Sequence, residues 1–425
     1  MKLIADLHIH SKYSRSTSPQ MEVESLSVWA KKKGIQVVGT GDFSHPEYFK
    51  LLKDKLKESS PGLYTLKKGG NGTHFLLTNE ISNIYSQGGK TRRIHTLVMA
   101  RSLDVVEKIN AELGKRGNIS SDGRPIFGFS AKELIKIVLD ASPDCFVVPA
   151  HAWTPWFAVF GSKSGFDDLE ECFEEETRNI YAIETGLSSD PAMNWRVSAL
   201  DRLALISNSD AHSPSKLGRE ANVLDCEMSY RGITETFKKK DRKSFLYTIE
   251  FFPDEGKYHY DGHRLCKVSL HPREAKERQN KCPVCFKPLT LGVMHRVEEL
   301  ADRPWNYHDE RFIPQRHAVP LIEILSEVLG SGVASAKVEK SYEEILAHGV
   351  PELELLLETP AADLGRLVPP EVAEGILKVR QGKVKVIPGY DGEYGKVRLF
   401  EDEHVHASAR ERKKNREKPG QIEMF

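Results

Sequence analysis

The first 220 or so residues predict an α/β fold, with a closed barrel as one form it can take. Two observations carry that reading. Short apolar runs alternate with stretches of helical period, and ligand-type polar residues recur where the apolar runs end. Length is a third guide. At 425 residues the chain exceeds one ordinary domain, and two or three are expected.

The elements follow in order. Lys2–Ile9, Val37–Thr40, Phe75–Thr78, Thr96–Ala100, Cys145–Ala150, Tyr181–Ile183 and Ala204–Ser207 are predicted strands, each short and apolar or β-branched. Met21–Lys33, Leu103–Lys115 and Ala131–Asp140 space their apolar residues as helices do. Ser130 supplies an N-cap for the last, with Glu133 in its first turn. Further on, Leu321–Leu329 and Glu371–Val379 predict amphipathic helices, and Glu352–Leu357 a short one. Pro369-Pro370 punctuates a helix start, and Lys383–Ile387 predicts a strand.

Composition excludes several classes. No run of about 18 apolar residues exists, so no membrane span is expected. No basic head with an apolar middle follows Met1, and six Cys are too few for a disulfide scaffold. A reducing, cytoplasmic location close to the nucleoid is expected. Lys and Arg number 61 against 61 Asp and Glu, which excludes a uniformly basic DNA-coating protein.

The chemistry lies at the strand ends. His8 and His10 close the first run, Asp42 follows the second and Glu80 the third. His95 precedes the fourth, His151 follows the fifth, Glu184 the sixth, and Asp210 and His212 the seventh. One such histidine is usually structural, but a set of them at the mouth of a barrel points to a site. His-x-His puts two imidazoles on one side of an extended chain, within reach of one ion. Asp210-Ala-His212 repeats the geometry with a carboxylate. Mixed His and carboxylate ligands suit Zn²⁺, Mn²⁺, Mg²⁺ or Fe²⁺, and two such ions about 4 Å apart suit phosphate-ester hydrolysis.

Ala5-Asp6-Leu7-His8-Ile9-His10-Ser11, Asn79-Glu80, Ala150-His151 and Ser209-Asp210-Ala211-His212 resemble the polymerase-and-histidinol-phosphatase (PHP) family. The resemblance covers about residues 1–225 and implies, in a domain at 1–235, a distorted seven-stranded barrel holding two or three divalent metals. It carries a ligand role onto His8, His10, Glu80, His95, His151, Asp210 and His212. It makes His8, His10, Glu80 and Asp210 the catalytic core. Where the family has Thr-Asp-His, this chain has Gly41-Asp42-Phe43-Ser44-His45, so Asp42 and His45 are the candidates there. Ser14 or Arg15 stands where a further family His is usual, which leaves the third metal position open.

A small module is expected at 255–300. His263-Arg-Leu-Cys266 and Cys282-Pro-Val-Cys285 are paired knuckles suited to a closed structural Zn²⁺ site, with His271 the alternative to His263. Phe286 stands where a small residue often follows a knuckle. From Lys238 to Lys281 there are 12 basic and 7 acidic residues, densest at Lys238, Lys239 and Lys240. Beside a zinc module and a phosphoesterase, that excess suggests nucleic-acid contact. A helical domain at 305–400 includes Pro388-Gly389-Tyr390-Asp391-Gly392-Glu393-Tyr394-Gly395, a turn able to approach a ligand closely.

Residues 401–425 predict a basic flexible tail. It ends in Gln421-Ile422-Glu423-Met424-Phe425, which resembles the bacterial sliding-clamp-binding pentapeptide. Ile422, Met424 and Phe425 would fill apolar pockets while Gln421 sets orientation.

The whole pattern resembles the endonuclease Q family. The resemblance runs from Asp6-Leu7-His8-Ile9-His10-Ser11-Lys12-Tyr13-Ser14-Arg15 and Gly41-Asp42-Phe43-Ser44-His45-Pro46 through Cys282-Pro-Val-Cys285 to Pro388-Gly389-Tyr390-Asp391-Gly392. It implies cleavage of single- or double-stranded DNA 5′ to uracil, hypoxanthine, xanthine or an abasic site. The expected ends are 3′-hydroxyl and 5′-phosphate. A pocket that reads such bases requires nucleotide flipping, with Trp153, Trp156, Tyr390 and Tyr394 as stacking candidates. A monomer is expected. The alternative is a small-molecule phosphatase of the histidinol-phosphatase type, which has no use for the later modules.

Overall fold

The computed structural model describes residues 1–400. They form two compact units, 1–316 with 387–396, and 317–386 with 397–400. No helix among the described residues is long and apolar enough to cross a membrane.

The first unit is built on an eleven-stranded mixed sheet. Lys2–Asp6 pairs antiparallel with Ala221–Asp225 and parallel with Val37–Gly39, which pairs parallel with His74–Gln87. The apolar residues of these strands meet in one core, where Leu3, Leu7, Val37, Leu76, Leu97, Phe146, Val148 and Ile206 are buried. Ala182–Glu184 and Ala204–Ile206 form a separate parallel pair. The predicted helices are found at Val23–Lys33, Leu103–Gly114 and Ala131–Ala141. Ser130 caps the last as expected, accepting from the Glu133 N–H.

Two predicted strands turn out to be fragments. Phe75–Thr78 and Thr96–Ala100 lie in one hairpin, His74–Gln87 against Lys90–Ala100, in continuous register from Leu77↔Ala100 to Gln87↔Lys90. Its outer half carries Ser82, Asn83, Arg92 and Arg93, so the apolar signal fades while the ladder continues. The turn is Gly88-Gly89, both at positive φ (62° and 74°), as a tight hairpin turn requires.

The basic run also has a different setting. Lys238 and Lys239 end a helix, Tyr230–Lys239, which is capped by Ser229 and stopped by left-handed Lys240 (φ 50°). Lys238 pairs with Glu235 at 3.3 Å and sits over the Tyr181 ring. The Lys240 amine donates to the Asp201 carbonyl, and burial lowers its pKa. Lys240 is therefore committed to the protein and is withdrawn from the DNA-contact set.

The second unit holds helices Leu321–Leu329, Ala336–Leu346, Glu352–Leu357, Ala361–Leu367 and Pro370–Arg380. Leu321, Ile324, Val338, Tyr342, Leu353 and Ile376 are among its buried residues. Glu352 is buried too, and is satisfied by the Leu321 N–H (3.0 Å) and the Tyr342 hydroxyl (2.6 Å). The Arg380 guanidinium donates to the carbonyls of Leu355, Leu356 and Thr359, so it closes the end of the Glu352–Leu357 helix.

Candidate metal centre and its surroundings

His8 and His10 follow directly on the first strand, fully buried, with both Nε2 atoms aimed into one space. The Glu80 and Asp210 carboxylates close that space. His10 Nε2 is 3.1 Å from Asp210 Oδ1 and 3.3 Å from Glu80 Oε2, and His8 Nε2 is 3.8 Å from each. The other Glu80 oxygen faces elsewhere. Oε1 lies 2.7 Å from His95 Nδ1 and 2.9 Å from His151 Nε2. Two ligand groups result, His8–His10–Asp210 and Glu80–His95–His151, each within 4.8 Å. Glu80 spans them, one oxygen toward each.

The atoms that face inward are short of partners. Among the described residues, His8 Nε2, His10 Nε2 and Asp210 Oδ1 are buried without a hydrogen bond. Orphaned buried nitrogens are costly, and a divalent cation would satisfy them. The donor set, imidazole with carboxylate, suits such an ion. Electrostatics agree. Burial works against a charged Glu80, but His95, Arg124 and His8 outweigh it and hold its pKa well below the usual range. Burial pushes His95 down to about 4, keeping the imidazole neutral as ligation requires.

The outward atoms are tied. His8 Nδ1 meets Glu184 at 2.9 and 3.0 Å. Glu184 also accepts from the His151 backbone N–H (2.8 Å) and Asn208 Nδ2 (2.9 Å). His10 Nδ1 lies 3.2 Å from both Ser14 Oγ and Asp42 Oδ1. Such partners fix ring orientation. The backbone is bent to suit, with positive φ at Asp42 (46°), His151 (30°) and Asp210 (47°). Strain of this kind collects at functional sites.

Three expected ligands lie outside both groups. Asp42 Oδ2 is taken by the Ser11 N–H and hydroxyl (2.6 Å each) and the Ser14 hydroxyl (2.9 Å), so this carboxylate orients His10. His45 begins the Pro46–Lys55 helix and stacks on Tyr13 at 4.4 Å. His212 is half-exposed beside His10, ring centroids 4.5 Å apart, with Nδ1 at 2.9 Å from the Asp210 carbonyl.

Arg124 is a neighbour of this centre that carried no signal in the sequence. It lies outside every motif, on the loop before Ile126–Phe127, yet Nη1 sits 3.0 Å from Glu80 Oε2. The loop is pinned: Gly123 N–H donates to Tyr13 O (3.0 Å) and Arg124 N–H to Asp122 Oδ1 (3.0 Å). A Cβ at Gly123 would stand 2.3 Å from Asp42 Oδ2, so only glycine permits this approach.

Trp153 leaves the stacking candidates. It is 1% exposed, donates through Nε1 to Asn194 Oδ1 (2.7 Å) and packs on Phe160, so it is a core residue. Trp156 is half-buried against Tyr258. The Tyr390 ring covers Gly262 so closely that a Cβ there would collide. Tyr394 is exposed beneath Lys257. The glycine loop bearing these tyrosines is docked by its backbone. Gly389, Gly392 and Gly395 donate to Asp254, Lys257 and Glu255, and Asp391 accepts from the Arg264 N–H.

A third ligand group lies in the module after the sheet. His263, Cys266, Cys282 and Cys285 bring their ligand atoms within 4.8 Å of one another. His271 is absent from it. Its ring nitrogen caps the Pro272–Glu277 helix, reciprocated by Glu274. Desolvation raises the Cys282 thiol, but the N–H groups of Cys285 and Val284 outweigh it and leave it at about 7. Arg296 clamps this part of the chain to the loop after His151, donating to the Phe160 and Phe166 carbonyls (3.0 Å each). Gln421, Ile422, Met424 and Phe425 lie outside the described residues.

Residues 320–383 match the family described as the MJ0043 C-terminal domain. The chain is 30% identical to YqxK of Bacillus subtilis over 413 residues, 93% of this chain and 99% of that protein. It is 33% identical over 253 residues to MJ0043 of Methanocaldococcus jannaschii, of which it spans 31%. Its fold is similar to the crystal structure of the lesion-specific endonuclease PfuEndoQ of Pyrococcus furiosus. The TM-score is 0.83 at 29% identity, over 96% of this chain and 99% of that one. It is equally similar, with a TM-score of 0.83 at 30% identity, to endonuclease Q in complex with a 27-mer duplex bearing an abasic lesion at the active site. That match covers 95% of this chain and 98% of that one. Sequence shared with nearly all of YqxK, and a fold shared with nearly all of two endonuclease Q structures, place this chain in the endonuclease Q family.

Proposed function

We propose that the chain is a metal-dependent DNA repair endonuclease. It hydrolyses the phosphodiester 5′ to a deaminated base or an abasic site and leaves 3′-hydroxyl and 5′-phosphate ends. The observation that carries the reading is Glu80, one oxygen facing His8, His10 and Asp210 and the other facing His95 and His151. Two divalent ions held there would supply the activated water and stabilise the leaving oxygen.

The chain's own residues do the rest. Glu184 and Asp42 fix the tautomer and direction of His8 and His10. Arg124, held beside Glu80, presents a guanidinium that stays charged and suits a non-bridging phosphate oxygen. His212, half-exposed at the mouth, is placed to take the proton that the attacking water gives up and pass it to the departing 3′ oxygen. The flipped base is read near Trp156, Tyr390 and Tyr394, with Lys238 and Lys239 left to the DNA backbone.

The strand arrangement supports a distorted PHP barrel. The pair 182–184 and 204–206 is joined on one side by Ala152 N–H to Glu184 O (2.9 Å) and on the other by Ser207 N–H to Asn222 Oδ1 (3.0 Å). The His263–Cys285 group is a structural zinc site, and the terminal pentapeptide docks on a bacterial-type sliding clamp.

Purified protein with Mn²⁺ should nick a duplex 5′ to a single uracil or abasic site. Absence of a nick, with phosphate released from small esters, would replace this reading with the phosphatase one.

A further inference from the structure

The tips of the two knuckles are apolar and face solvent. Leu265 is 85% exposed, Val284 63% and Phe286 74%. Each is next to a ligand of the four-residue group, Leu265 to Cys266 and the other two to Cys285, so all three are carried on the two knuckle turns that meet at that group. Scattered exposed apolar residues are ordinary, but a cluster marks a contact surface.

Phe286 is the most informative of them. Its φ is 63°, the left-handed region that glycine occupies freely and a bulky residue occupies under strain. Phenylalanine at this point gains no burial in return. The small cluster beneath is made by Ala275, Cys282 and Leu289, with Cys266 and Cys285 against it, and does not include Phe286. Stability of the module therefore does not explain the residue.

The surroundings define the partner. Residues 263–290 hold seven basic and two acidic side chains. Lys267, Lys281 and Lys287 flank the tips and are exposed. Apolar wedges ringed by cations are how proteins unstack a base step while holding the backbone. The module is also coupled to the metal centre, since Arg296 and a Ser162–Leu291 contact (3.1 Å) fasten it to the loop that follows His151.

We infer that Leu265, Val284 and Phe286 form a wedge that enters duplex DNA beside the lesion and props open the stack while the nucleotide is flipped. This rests on the endonuclease reading above. The wedge matters for a paired, stacked substrate and not for a single strand, whose bases are already free.

The test compares full-length wild type with Phe286→Ala and with Leu265→Ala/Val284→Ala/Phe286→Ala. Each acts on the same uracil in a duplex and in a single strand, with 2-aminopurine beside the lesion as a reporter of unstacking. The triple variant should lose about tenfold or more of its duplex nicking rate, together with the fluorescence rise. It should nick the single strand within about twofold of wild type and keep its bound zinc. Phe286→Ala should fall between the two. Wild-type duplex nicking and fluorescence in the triple variant would overturn the wedge, as would equal losses on both substrates. Loss of binding to a protein with DNA behaviour unchanged would also overturn it and reassign the patch. Failure of wild type itself to nick either substrate would instead refute the endonuclease reading.

Discussion

The two kinds of ligand cluster in the first unit are built in opposite ways. The His8–His10–Asp210 and Glu80–His95–His151 groups draw on residues spread from position 8 to position 210. They are mostly buried, and their outward atoms are tied by Glu184, Asp42 and Ser14. The His263–Cys266–Cys282–Cys285 group comes from one short stretch, over a small core of Ala275, Cys282 and Leu289. In the first, residues far apart in sequence are brought together by the fold, so ions bound there would be exchangeable. In the second, the ligands come from one short stretch over a small core, so an ion bound there would hold the local fold together.

The largest test of that contrast is Asp210→Asn. It should reduce nicking by roughly 10³-fold with Tm unchanged, because a core of other residues holds the mouth. A large fall in Tm would erase the distinction. Cys285→Ser should do the reverse, removing the bound zinc and exposing residues 255–300 to protease while Glu80 and His151 stay in place. Glu184→Gln should weaken activating-metal affinity by about 10- to 100-fold, read as a rightward shift of the Mn²⁺ titration, with maximal rate largely restored at saturation.

A smaller effect lies behind the first cluster, where the Glu184 charge adds to the pressure on Glu220. Glu220 and Glu250 are fully buried neighbours, and burial raises both, Glu250 to about 8. A carboxyl raised on folding stabilises most when protonated. Its contribution is complete below the unfolded value of about 4.5 and is lost as pH rises through about 8. Unfolding free energy should therefore decline between those limits, and Glu250→Gln should flatten the decline. An unchanged slope would remove the pair from the account.

The same contrast explains what could be read in the sequence. The knuckle ligands follow from spacing, because a local site writes its geometry into one short stretch. His-x-His and Asp210-Ala-His212 were legible for the same reason. Glu184 was visible at a strand end, but not its place behind His8, since that depends on a partner 176 residues away. Arg124 had no signal, being delivered by a loop whose position depends on Gly123 packing against Asp42. Asp42 and His45 looked like ligands because type and order matched a motif; the hydrogen bonds that commit Asp42 elsewhere exist only in the fold. Trp153 misled for a similar reason, since proximity in sequence to His151 does not decide whether a ring faces the mouth or the core. The hairpin was read too short because its outer half is polar, although Gly88-Gly89 carried a turn signal.

The most direct measurement of the central claim maps the products of a uracil-containing duplex at nucleotide resolution, with Mn²⁺, using wild type and Asp210→Asn. The account predicts one nick immediately 5′ to the uracil, with 3′-hydroxyl and 5′-phosphate ends, absent from undamaged duplex and from the variant. An intact duplex, or a nick that persists in Asp210→Asn, would contradict it.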